Sequence, residues 1–246
     1  MSRRKDRCEG EWPSVRSMRT LGVLGGMSWT STASYYRLLN EGVVARLGGL
    51  HSAQLLLHSV DFDPVAKAQH DGDWDATVAI LARAAEGLAR GGAEALLVAT
   101  NTMHKVADEL QQASGLPLLH IADSTADAIV ADGVSRVGLL ATAFTMEQDF
   151  YVGRLRAKGL EVIVPDAPQR AEVHRIIYDE LCLDVVLDES RAAYRDVMAS
   201  LVERGAQAVI LGCTEITLLV SEQDSSVPLY DTTRIHADAG VDFMLG

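Results

Sequence analysis

The sequence predicts an α/β protein built from two copies of one unit, each a parallel sheet flanked by helices. Thr100 and Cys213 fall at matching positions on opposite sides of a cleft. Three observations predict this. Short aliphatic runs alternate with longer segments of helical period from residue 20 onward. The segment GAEALLVATNT at 92–102 lies over GAQAVILGCTE at 205–215 without a gap. Two further pairs of segments repeat in the same order.

The strands come first. LGVLGG at 21–26, AQLLLHSV at 53–60, EALLVA at 94–99 and PLLHI at 117–121 are apolar runs of strand length. So are RVGLLA at 136–141, LEVIVP at 160–165 and AQAVILG at 206–212. Near-continuous apolar character is the pattern of parallel strands covered on both faces. The intervening segment 74–90 carries Val78, Leu81, Ala85 and Leu88 at helical spacing with Arg and Glu opposite, which predicts a surface helix. DFDP at 61–64 and VPDAP at 164–168 turn the chain at strand ends. LGVLGGMS at 21–28 matches VGLLATAF at 137–144, and LPLLHIADST at 116–125 has a looser counterpart in VPLYDTT at 227–233. This organisation divides the chain into a first α/β domain of 18–118 plus 213–246 and a second of 119–212. The polar, basic stretch 1–17 is expected to be a flexible N-terminal extension, without the apolar centre of a secretory signal.

A net charge of −12 over 246 residues argues against nucleic-acid or anionic-membrane partners and for a small-molecule substrate. No apolar run approaches the roughly 20 residues of a membrane-spanning helix. Cys8, Cys182 and Cys213 form no metal-binding pattern and are odd in number, so a reducing, cytoplasmic setting is expected.

In an open α/β sheet the ligand lies beyond the carboxyl ends of the strands, where Thr100 and Cys213 both fall. A thiol there, preceding a helix, is expected to meet unpaired N–H groups that favour thiolate, which makes Cys213 a candidate nucleophile or base. Cys182, inside IIYDELCL, is expected to be a small buried apolar residue. The hydroxyls and amide of TNT at 100–102 and CTE at 213–215, with Thr142 and Thr145, can bind a carboxylate; ordinary helix capping is their alternative. His104 and His120 are expected in structural hydrogen bonds, and Met27 and Trp29 in core packing with a possible place at the pocket. GGMSWTST lacks the third glycine of a dinucleotide fingerprint, and nothing calls for an organic cofactor or a metal.

GGMSWTST, SVDF, ATNTMHK, LLATAFTM, GCTEI and PLYDTT, in that order from residue 25 to 233, resemble the aspartate/glutamate racemase superfamily, in its bacterial amino-acid racemase branch. The resemblance implies a pseudo-twofold pair of α/β domains, with the active site in the interdomain cleft. It also implies cofactor-independent racemisation, in which two cysteines flank the substrate α-carbon. Cys213 is the second of these, and Thr100 stands where the first is expected. A threonine hydroxyl does not ionise near neutral pH, so Cys213 is expected to deprotonate L-amino acids while Thr100, or water held by it, serves the other face. Reaction from the D side is then slower. The resemblance further implies substrate contacts from Met27, Gln69 in a mobile stretch, Asn101, Thr102, Thr142 and Thr214, and a homodimer. Some relatives acting on acidic substrates carry an Arg near position 69 and a Lys within about 174–184. Gln69 and VHRIIYDELCL widen the expected range beyond aspartate and glutamate. The rival activities are a single-cysteine decarboxylase or isomerase of small carboxylates, and an impaired amino-acid-binding protein.

Overall fold

The computed structural model describes residues 18–246, so the expected N-terminal extension lies outside the described residues. Among the described residues eight strands form two parallel sheets. β1 (Leu21–Gly25), β2 (Leu55–Ser59), β3 (Ala95–Val98) and β4 (Leu118–Leu119) take the order β2-β1-β3-β4. β5 (Arg136–Ala141), β6 (Glu161–Ile163), β7 (Ala208–Gly212) and β8 (Leu229–Asp231) take the order β6-β5-β7-β8. The two orders are the same once each strand is replaced by its repeat, so the segment matches read from the sequence are structural equivalences. Every apolar run expected to be a strand contains one.

The helices are α1 (Trp29–Leu47), α2 (Phe62–Asp71), α3 (Trp74–Arg90), α4 (Ala107–Ser114), α5 (Ile121–Ala131) and α6 (Ala143–Glu147). They continue as α7 (Asp149–Ala157), α8 (Ala167–Asp179), α9 (Asp188–Glu203), α10 (Ile216–Leu219) and α11 (Thr232–Leu245). Alternation along the strands separates two apolar layers around the first sheet. Leu21, Val23, Ala95 and Leu97 pack with Tyr35 and Leu39 of α1 and with Ala237 and Val241 of α11. Leu24, Leu96 and Val98 face Leu81, Ala85 and Leu88 of α3, which is the helix expected over 74–90. At about 25 cal/mol per Å2 of apolar surface, the covered Leu and Val side chains stabilise the layers by about 1.5–3 kcal/mol each.

Two helices cross between the units. α5 follows the last strand of the first sheet yet buries Ile121, Ala126 and Ile129 in the second core. α11 follows the last strand of the second sheet yet packs on the first. This corrects the division expected at residue 213. Ile216 and Leu219 belong to the second core and Leu229–Asp231 pairs with β7, so only the segment from Thr232 returns to the first unit. The cause is the repeat itself, because each copy ends in a strand and hands its next helix to the other copy.

The turn after β1 sets the approach to the site. Gly26 has φ +99°, and a Cβ there would lie 2.2 Å from the Val60 carbonyl oxygen. Gly26→Ala is therefore expected to destabilise the protein by about 1–3 kcal/mol from the backbone conformation alone, with the clash adding to it. Urea unfolding checks this, and an unchanged midpoint would contradict it.

Candidate active site

The residues that follow β1, β3, β5 and β7 line one cavity of about 240 Å3. Met27 comes from the end of β1. Thr100, Asn101 and Thr102 come from the end of β3, Thr142 from β5, and Cys213 and Thr214 from β7. The repeat thus brings Thr100 and Cys213 to one space, as the matched segments predict. Phe62 and Gln69 of α2 and Ile177 and Tyr178 of α8 supply further wall. Gln69 Nε2 donates to the Tyr178 hydroxyl at 3.2 Å, bridging the two units.

Cys213 is partly accessible, and its Sγ lies 3.0 Å from Glu215 Oε2, to which it donates. Burial and then the Glu215 carboxylate push the Cys213 thiol well above its ordinary range. This reverses the expectation of a helix-stabilised thiolate. The helix beyond Cys213, α10, has only four residues and so little dipole, while the nearest full charge is negative.

Glu215 is the cavity-lining group to which sequence reasoning gave no role. It is 7% exposed, and its four side-chain hydrogen bonds come from neutral groups. Oε1 accepts from Ser28 at 3.1 Å and from Ser31 at 2.8 Å, both in the first unit, and Oε2 accepts from Thr214 and Cys213. Four donors fill the acceptor capacity of a carboxylate. Its place two residues after Cys213 was a usable signal; its partners on the far unit were not readable from the sequence.

On the opposite side, Thr102 and Thr142 approach through their hydroxyls at 3.3 Å. Neither Thr142 nor Asn101 makes a side-chain capping bond, so the capping alternative fails for both. Asn101 Nδ2 donates to Thr232 Oγ1 at 3.2 Å, and that hydroxyl gives its own proton to the Leu211 carbonyl at 2.9 Å. Thr232 can therefore only accept from Asn101, which assigns the amide orientation. Asn101 Oδ1 is left buried without a partner; among the described residues no other cavity-lining side-chain atom is in this position.

Several expectations are corrected. Thr145 is fully buried behind Thr142, at 3.3 Å from its hydroxyl, and does not line the cavity. Gln69 stands on α2 rather than in a loose stretch. Met27 is both core and wall, whereas Trp29 is 72% exposed and lines the cavity without packing in the core. Cys182 is exposed and faces the cavity instead of being buried. The helix that was to bury it ends at Asp179. There the Glu180 carboxylate takes Arg175 at 2.9 Å and the Ser190 hydroxyl, and the chain turns.

His104 and His120 hold the structural roles expected of them. His104 Nδ1 donates to the Thr100 carbonyl at 2.8 Å and Nε2 accepts from the Ile121 N–H at 3.2 Å; His120 Nδ1 caps α5. His236, which spacing left unassigned, joins them with ring centroids 5.4 Å from His104, and His104 lies 4.6 Å from His120. Burial holds these rings far below the usual histidine range, at about 4, 2 and 3 for His104, His120 and His236. They are neutral props behind Thr100. No group of three or more His, Cys, Asp or Glu among the described residues is placed to hold a metal ion, and no described helix is long and apolar enough to cross a membrane.

A duplicated α/β fold with a cavity between strand ends, carrying a thiol on one side and a threonine on the other, defines a class of two-domain α/β proteins. The chain belongs to the Asp/Glu/Hydantoin racemase family, whose model matches residues 24–240. It is similar to a Yersinia pestis protein whose crystal structure carries a provisional Asp/Glu racemase description. That protein is 55% identical, with a TM-score of 0.88 over 93% of this chain and 100% of the other. An aspartate racemase homologue from Pyrococcus horikoshii OT3 is 33% identical, with a TM-score of 0.81 over 93% of this chain and 100% of the other. The broad specificity amino-acid racemase RacX of Bacillus subtilis (strain 168) is 26% identical over 234 residues, 90% of this chain and 96% of its own.

Proposed function

We propose that the protein is a cofactor-independent amino-acid racemase in which Cys213 removes the α-proton of the L-enantiomer and Thr100 serves the opposite face. The observation that carries this reading is the pairing of Cys213 and Thr100 at equivalent strand ends around one cavity. Inversion needs a group on each side of the α-carbon, and the duplicated fold supplies two equivalent positions. Asn101 Oδ1, buried and without a partner, is a ready acceptor for the α-ammonium group. The hydroxyls of Thr102 and Thr142 are donors for the α-carboxylate, while that of Thr214 is committed to Glu215. The Asn101 acceptor favours an amino acid over a simple dicarboxylate, which brings no ammonium to satisfy it.

The resting thiol is neutral, so a step must ionise it. Glu215 Oε2, already accepting the thiol hydrogen, is the group to which that proton moves. The positive ammonium entering the cavity offsets the negative charge that otherwise opposes thiolate. The Cys213 thiolate then takes the α-proton, leaving a carbanion stabilised by the hydrogen-bonded carboxylate. Water held at the Thr100 hydroxyl returns a proton to the other face and inverts the centre, and the hydroxide left behind is neutralised by the proton that Glu215 took, which restores the resting thiol and carboxylate.

The inequality of the two faces has a defined signature. The enantiomers are equal in free energy in water, so kcat/KM must be the same in both directions. The L-side preference therefore appears as exchange of the L-substrate without inversion. In deuterated water, with no added cofactor, α-deuterium is expected in the remaining L-amino acid ahead of the appearance of the D-enantiomer. Because the thiol is raised, the exchange rate should climb as pH rises above neutrality. Mass spectrometry with chiral separation reads both quantities. An absence of exchange across a full amino-acid panel would remove the racemase reading.

A further inference from the structure

We infer that the site takes an amino acid with a small uncharged side chain, not an acidic one; the α-carbon chemistry of this inference rests on the racemase reading above. Among the described residues, no Lys, Arg or His lines the cavity. The one acidic side chain there is Glu215, and a second carboxylate brought in on a substrate side chain would sit beside it with no counterion. An unpaired charge taken out of water is strongly disfavoured.

The basic groups nearest in the chain to the α8 wall are committed elsewhere. Arg175 is bound to Glu172 at 2.8 Å and to Glu180 at 2.9 Å. The His174 ring lies 4.8 Å from Tyr178, but its Nδ1 accepts from the Ala143 N–H at 3.2 Å, and burial lowers its basicity. Neither offers a positive charge to the cavity.

A basic side chain finds no place either. Glu215 already accepts four hydrogen bonds and has no lone pair left for an ammonium or guanidinium group.

The remaining wall suits a neutral group. Phe62, Ile177 and Cys182 give apolar surface. The Tyr178 hydroxyl accepts from Gln69 and keeps its own proton to donate, since burial pushes its pKa up to about 12. The cavity of about 240 Å3 lies below the roughly 300–1,000 Å3 of pockets for drug-sized ligands, which limits the side chain to a few heavy atoms.

The test measures α-deuterium exchange and, separately, calorimetric binding for L-alanine, L-serine, L-homoserine, L-methionine, L-aspartate, L-glutamate and L-lysine on the wild-type protein. The best neutral amino acid is expected to exceed aspartate, glutamate and lysine by at least about tenfold in kcat/KM and in affinity. Cys182→Lys, which places a cation on the wall, should raise the ratio of acidic to neutral turnover by at least about tenfold. Aspartate or glutamate matching the neutral compounds in exchange would overturn the substrate class and leave the racemase reading standing. Preferential binding of neutral amino acids with no exchange would uphold the substrate class and remove the racemase reading. An unchanged ratio in Cys182→Lys would overturn the assignment of that wall to the side chain.

Discussion

Replacing Cys213 with alanine is expected to lower α-proton exchange from L-amino acids by about 10²–10⁴-fold, the range for loss of a positioned general base. The substitution removes one sulfur atom from a residue that already borders an open cavity, so the fold should be retained. It leaves the groups assigned to the ammonium and carboxylate in place, because Asn101, Thr102 and Thr142 hold their positions through contacts that do not involve the thiol. Glu215 loses one of its four donors but stays tied to Ser28, Ser31 and Thr214. Substrate affinity measured by calorimetry should therefore change little while exchange collapses. This separates a lost base from a lost binding site. Exchange persisting at the wild-type rate would show that another group takes the proton, and Glu215, 3.0 Å from the sulfur, would then be the group to test.

Thr100→Cys is expected to act in the opposite sense. On the proposed mechanism the Thr100 face holds the higher barrier in the wild-type protein, because a threonine hydroxyl is a poor acid and its alkoxide is inaccessible near neutral pH. By microscopic reversibility that barrier limits racemisation in both directions, while exchange on the Cys213 face runs ahead. A thiol at position 100 lowers the slow step. Racemisation should rise by about 10²-fold, equally in both directions, and exchange of the D-substrate without inversion should appear. The Thr100 carbonyl is held by His104 Nδ1 at 2.8 Å, so the backbone that presents the new side chain is fixed by a bond the substitution does not touch. A racemisation rate unchanged by this substitution would mean that Thr100 does not face the reacting carbon.

Much of this was legible in the sequence. The strands were readable because both faces of each sheet are covered, so their residues are apolar almost without interruption. α3 was readable because its apolar stripe has a clear period. Thr100 and Cys213 were readable as a pair because the two copies kept the same spacing from strand to following turn. Asn101, Thr102, Thr142 and Thr214 were found for the same reason, each standing within four residues of a strand end.

What escaped depends on contacts between distant segments. Ser28 and Ser31 reach Glu215 across 187 and 184 positions, so the anchoring of that carboxylate could not be read from its neighbours. The state of the Cys213 thiol needed the length of α10 and the place of Glu215, and together these reversed the sign expected from a helix N-terminus. Cys182 was misread because helix termination at Asp179 depends on Glu180 finding Arg175 and Ser190, which decides whether the thiol faces core or cavity. By itself the sequence determined the repeated unit and the two strand ends that carry Thr100 and Cys213, because covered strands and conserved spacing are local properties. Only the tertiary structure decided the charge around the thiol and the uncharged wall opposite it, because an electrostatic environment is the sum of groups that the chain brings together from both units.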